Sequence, residues 1–127
     1  MKPTELYLSL KKPFESIRSI FHTYEKELTV IVDQPDSYYL TYRGDEEYPG
    51  KFFSAVQIRK DKIFVYFGAL NEHPELLREL PEGIYQHMNP GGIFAFKRTN
   101  LLVLDDLAIV AELCFKKERS HTAELVF

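Results

Sequence analysis

The chain holds one cysteine and no tryptophan, and no apolar run in it nears the roughly 20 residues that cross a bilayer. Cys114 has no partner for an internal disulfide, so no disulfide framework staples the fold, and the reading points to a reducing compartment, the cytoplasm. Charged and polar residues break up the opening MKPTELYLSLKK, which does not read as a signal peptide, and no membrane partner is expected. Positive charge is scarce as well: 16 Lys and Arg stand against 19 Asp and Glu, for a net charge of −3. That balance leaves no broad cationic face for nucleic acid. Of His22, His73, His87 and His121, none forms a His-x-x-x-His pair or stands beside Cys114. No structural zinc pattern exists, and neither a metal nor a cofactor is expected. There is no G-x-S-x-G elbow, no P-loop and no Rossmann fingerprint, so no reaction is written in a motif.

What is present is aromatic. Ten Phe and eight Tyr stand in 127 residues that are 45% hydrophobic, enough for one domain, 1–127, to bury a core of rings and branched aliphatics without metal or disulfide. Thr4 to Leu10 reads as a short helical lead-in. Pro13 suits the first turn of a helix over 13–27, in which Phe14, Ile17, Phe21, Tyr24 and Leu28 recur at helical spacing. Leu28 to Val32 is rich in β-branched residues and reads as a strand. Asp33-Gln-Pro-Asp36 is turn chemistry, Ser37 to Arg43 a second strand, and Gly44 to Gly50 a loop with an acidic run, Asp45, Glu46 and Glu47.

Phe52 to Ile58 and Ile63 to Leu70 form two further strands around the polar tip Lys60-Asp61-Lys62. Neither alternates cleanly, which predicts a sheet covered on both faces. Pro74-Glu-Leu-Leu-Arg-Glu-Leu80 and the turn after Pro81 are short helical inserts, and they are the natural cover for the second face. Asn89-Pro-Gly-Gly92 is a turn, and Ile93 to Phe96 is a fifth strand. Leu101 to Lys117 is helical; Leu101, Leu104, Ala108, Ala111 and Phe115 form one face, widened by Leu102, Ile109 and Leu113. The order of elements predicts an α+β fold. It has a single mainly antiparallel sheet of about five strands, both terminal helices on one face, and short helices inserted before the last strand.

Phe53-Ser-Ala-Val-Gln-Ile-Arg-Lys60, Pro74-Glu-Leu-Leu77, Met88 and Phe94-Ala-Phe96-Lys97 resemble the YdhG-like family of bacterial domains of unknown function. There the stretch reads approximately FGAVQIKK, PELL and Met-Gln-Gly-Lys-x-x-Phe-Asn-Phe-Lys. The resemblance spans about residues 50–97. It implies a small α+β domain likened to the frataxin fold and, for some members, an iron-chaperone role. The chain departs from the family where Tyr66-Phe67-Gly68-Ala69 replaces a His-Leu-Met-Pro run, and where Pro90 and Gly91 replace a Gly and a Lys.

The functional expectation is a non-enzymatic binding or adaptor protein with a small-ligand cleft. The insert would cover one end of the second sheet face and leave a concave apolar site at the other. Tyr66 and Gly68 would share a face, and Gly68 would make room beside the ring. His87 and Met88 would approach from the insert, Gly91 and Gly92 would let the backbone come close, and Lys97 would stand at the mouth. The Gly-Gly turn could bare N–H groups to an anion. A homodimer filling the gap is the competing expectation. Two other functions compete with binding. A frataxin-like iron carrier would need clustered carboxylates, and Glu15, Glu25 and Glu27 are diluted by Arg18 and Lys26. A small enzyme would use Tyr66 and His87 for proton transfer.

Overall fold

A computed structural model describes the backbone of residues 3–43 and 50–126 and the side chains of 8–43 and 50–118. The acidic run Asp45 to Glu47 lies outside the described residues. Helix α1 (Pro3–His22) leads into strands β1 (Leu28–Gln34), β2 (Ser37–Tyr42), β3 (Phe52–Arg59) and β4 (Lys62–Phe67). A short helix α2 (Gly68–Glu72) and two 3₁₀ turns (Pro74–Arg78 and Glu82–His87) precede β5 (Phe94–Phe96), and helix α3 (Leu101–Val126) follows. The strands pair in chain order, β1-β2-β3-β4-β5, each antiparallel to the next. The α+β class, the five-stranded antiparallel sheet and the inserted short helices are as the sequence predicts.

Both long helices lie on one face of the sheet. Phe21 of α1 meets Phe53 and Phe67, and Phe115 of α3 meets Phe53 and Tyr42. A bulge aims Phe53 at them. The β2–β3 register passes from Leu40 opposite Ser54 to Thr41 opposite Phe52, which leaves Phe53 unmatched. Phe53 and Ser54 are therefore both fully buried, while Phe52 turns to the other face.

Three elements depart from the sequence reading. Helix α1 runs unbroken through Pro13 and stops at His22, and Glu25–Glu27 is a 3₁₀ turn. A proline inside a helix costs about 3 kcal/mol. Leu10, Phe14, Ile17 and Phe21 are all essentially fully buried on either side of it. Each contributes about 1.5–3 kcal/mol, so the stripe outweighs the lost ladder bond. Strand β4 ends at Phe67, and the chain coils into α2 where a strand to Leu70 is expected. Helix α3 buries Leu107, Val110, Ala111, Cys114, Phe115 and Glu118, whereas Leu101 is 80% exposed and Leu102 74%. The helix carries two overlapping apolar stripes, and the sheet takes the one centred on Val110 and Cys114.

The insert corrects a fourth expectation. Leu76, Leu80 and Ile84 join the helix-side core, and the 3₁₀ turns pack against α2 and α3. Nothing helical among the described residues covers the opposite face. Along β4 the burial alternates strictly, with Ile63, Val65 and Phe67 buried and Phe64 and Tyr66 half-exposed. The second face escaped the alternation rule because its outward residues are rings, which are apolar in composition yet amphipathic enough to sit half-wet.

Candidate functional site

The uncovered face carries a trough. Tyr39, Ala55 and Tyr66 lie side by side on three neighbouring strands, as do Gln57, Phe64 and Ala95. Ala55, small between the rings of Tyr39 and Tyr66, makes a low floor between raised walls. Tyr39, Phe52 and Tyr66 form a continuous row, with centroids 6.0 and 5.7 Å apart. At the β4–β5 side the trough deepens into a cavity of about 270 Å³, lined by Ala55, Gln57, Arg59, Phe64, Tyr66, Asn89 and Ile93. This volume is near the lower bound for small-molecule sites, which suits a single ring. Its chemistry is two aromatic walls, one guanidinium at the hairpin end and two amides.

Of the residues expected to meet there, only Tyr66 lines the cavity. Gly68 is buried at the start of α2, where a Cβ would stand 2.1 Å from the Phe52 carbonyl oxygen. It is small because two backbones touch, and it makes no room beside Tyr66. His87 packs its ring 4.9 Å from that of Phe96. Phe96 pairs with Ile63, and both are buried on the helix side. Tyr66 and His87 therefore lie on opposite sides of the sheet, and no proton passes directly between them. Met88 is half-buried and bridges to Phe94. Lys97 reaches back to the hairpin tip, 3.6 Å from Asp61.

The Gly-Gly turn is already satisfied. Asn89 Oδ1 accepts the N–H groups of Gly91 and Ile93, at 2.9 and 3.1 Å, and the Asn89 carbonyl accepts that of Gly92 at 3.0 Å. Gly92, at φ +80°, supplies the left-handed turn residue. With those donors spent, the turn offers no nest to an anion. Its product is Asn89 itself, which the self-capped loop holds at the cavity wall. That role was not legible from an Asn-Pro dipeptide.

A second polar group lies on the helix side. Glu72 and His73 close α2, and Glu118 of α3 faces them; the three offer ligand atoms within 4.8 Å of one another. Glu118 is 2% exposed. Its Oε1 lies 3.3 Å from His73 Nε2, and the Lys51 ammonium stands 3.3 Å from Glu72 and 3.9 Å from Glu118 Oε2. Burial, and then the neighbouring Glu72 carboxylate, raise the Glu118 pKa above the usual carboxylate range. Cys114, fully buried below, has its thiol pushed up to about 12 by burial and then by Glu118. A thiol in that setting is no nucleophile. The Tyr42 hydroxyl, buried without a hydrogen-bond partner, is also pushed up by burial and then by Glu118. No local spacing announces this group, because Glu72 and His73 are adjacent and Glu118 lies on another helix.

The carboxylates of the α1 end do not gather in this way. Glu25 accepts the Tyr38 hydroxyl and lies 3.3 Å from His22, and Arg18 pairs with Asp33 at 2.8 Å while its guanidinium sits over the Tyr38 ring. Among the described residues no helix is long and apolar enough to cross a membrane. The chain matches no family model, no curated protein and no solved structure.

Proposed function

We propose that this is a binding domain whose ligand lies on the open sheet face, with a planar ring between Tyr66 and Phe64 and an acidic group directed at Arg59. The observation that carries the reading is the cavity of about 270 Å³ on a sheet face that no helix among the described residues covers. A core face buries rings fully, as Phe53 and Phe67 are buried here, whereas Phe52, Phe64 and Tyr66 are held half-exposed. Half-exposed rings on a rigid sheet are pre-organised stacking surfaces, and they lose little entropy when a ligand arrives. Arg59 offers a planar fork suited to a carboxylate. Asn89, with its oxygen spent on the turn, offers only its amide N–H₂. The lining supports a non-enzymatic reading, since it holds no nucleophile and no paired acid and base.

The test is an NMR titration of labelled protein with small aromatic carboxylates, benzoate and indole-3-carboxylate among them. Saturable shifts at Ala55, Phe64 and Tyr66, lost in Tyr66→Ala and weakened in Arg59→Gln, are expected. Absence of saturable shifts on this face up to millimolar ligand, or shifts that Tyr66→Ala leaves unchanged, would reject the reading. A solution mass of twice the chain, with the Tyr66 region protected from exchange, would assign the face to a second copy of the chain instead.

A further inference from the structure

We infer that Glu72, His73 and Glu118 form a binding site for a divalent transition cation of the zinc type, one that staples α2 to α3. This site shares no residue with the cavity on the open sheet face. One imidazole and two carboxylates are the donor set that zinc and its neighbours accept. A tetrahedral ion with ligands at about 2.1 Å holds its donor atoms about 3.4 Å apart, and His73 Nε2 already stands 3.3 Å from Glu118 Oε1.

A further observation points to a ligand rather than to a solvated acidic patch. Glu118 is buried, yet its Oε2 receives no hydrogen bond, and the Lys51 ammonium stays 3.9 Å away. A buried carboxylate oxygen left in this state is expensive unless something else occupies its lone pairs. The other ring nitrogen of His73, Nδ1, lies 3.7 Å from Glu75, which is in turn 3.4 Å from Lys117. The 3.7 Å separation is beyond a hydrogen bond, so Glu75 supplies a negative charge behind the imidazole without fixing the ring.

Lys51 is the competitor. Its ammonium supplies the positive charge that two carboxylates require, and it is about half-exposed. An arriving cation displaces it toward water, a movement that a flexible four-carbon stem allows. Removing this lysine therefore has opposite consequences in the two accounts. A purely structural ion network is weakened by the loss, and a metal site is relieved of its rival.

The experiment is calorimetric titration of the full chain with ZnCl₂ at pH 7.5, together with the visible spectrum of the Co²⁺ form. One equivalent is expected to bind. Glu118→Gln and His73→Gln should each weaken affinity at least tenfold, and Glu118→Gln, being isosteric, should keep the fold by circular dichroism. Glu75→Gln, which removes a nearby negative charge, should weaken affinity by a smaller factor. Lys51→Met should tighten Zn²⁺ binding several-fold. No saturable uptake by either wild type or Lys51→Met overturns the inference. So does uptake that Glu118→Gln leaves unchanged, because the ion would then sit elsewhere.

Discussion

Replacing Gly68 by alanine sets two physical effects against each other. Gly68 opens α2, and in a helix alanine is favoured over glycine by about 1 kcal/mol. Against that gain, the new Cβ would stand 2.1 Å from the Phe52 carbonyl oxygen. Contacts below 3.0 Å are essentially never seen, so the two backbones would have to part by about 0.9 Å. Neither can yield easily. Phe52 is flanked by the fully buried Phe53, and Gly68 by the fully buried Phe67, in the centre of the core. Overpacking of this kind costs about 1–3 kcal/mol and at times more. With backbone on one side of the clash the upper end applies, and the expected net loss is about 2–3 kcal/mol. In urea, with m at about 1–3 kcal/mol/M, the midpoint should fall by roughly 0.7–3 M at unchanged m. Gly83→Ala is the control: its Cβ would meet only the Asp106 carboxylate oxygen at 3.2 Å, and it should stay within about 0.5 kcal/mol. If Gly68→Ala is as stable as the parent while the control behaves as expected, the close approach of β3 to α2 is absent and the reasoning fails.

Other perturbations have clear signs. Lys60, at φ +55° in the β3–β4 turn, occupies a region that favours glycine; Lys60→Gly should raise stability by up to about 1 kcal/mol by thermal unfolding, and a loss would refute the turn geometry. Asn89→Ala removes the acceptor of two backbone N–H groups and should cost about 1–2 kcal/mol, with accelerated amide exchange at Gly91 and Ile93 as the local readout. Cys114 is fully buried with its thiol pushed up to about 12, so at pH 8 the thiolate is on the order of one molecule in ten thousand. A disulfide reagent such as DTNB should label it only as fast as the protein unfolds; prompt native-state labelling would contradict the packing.

The sheet was legible because its signals are local. The tip Lys60-Asp61-Lys62, the β-branched run from Leu28 and the turn at Asn89 are each read within a few residues. The orientation of α3 was legible only in its later turns, where Ala111 and Phe115 are buried as expected. Leu101, Leu104 and Ala108 make as good a helical stripe as Leu107, Val110 and Cys114, and only the ring cluster around Phe53 chooses between them. The continuity of α1 across Pro13 was hidden for a related reason, since a local rule stops the helix and distant burial carries it on. At the open face, Tyr66 was found, although the room expected for it beside Gly68 is not there. Arg59, Gln57, Asn89 and Ile93 were not, because strand register and a self-capped loop bring them there. The Glu72–His73–Glu118 group needed two helices to be docked before it could be seen at all.

The placement of α3 also matters for how the chain is made. All five strands pair with their sequence neighbours, so the first four can zip up hairpin by hairpin as the chain leaves the ribosome, and β5 joins after the insert. The sheet's roof is another matter. Phe53 and Tyr42 meet Phe115, and Tyr24 of the segment after α1 leans on the same ring. Until residues 107–118 emerge, a nascent chain holds a finished sheet with half its ceiling missing and a cluster of rings open to water. Such an intermediate is sticky, and it is the stage at which holding chaperones would find this protein. Truncation ahead of Leu107 would therefore be expected to leave an aggregating product in place of a smaller stable one.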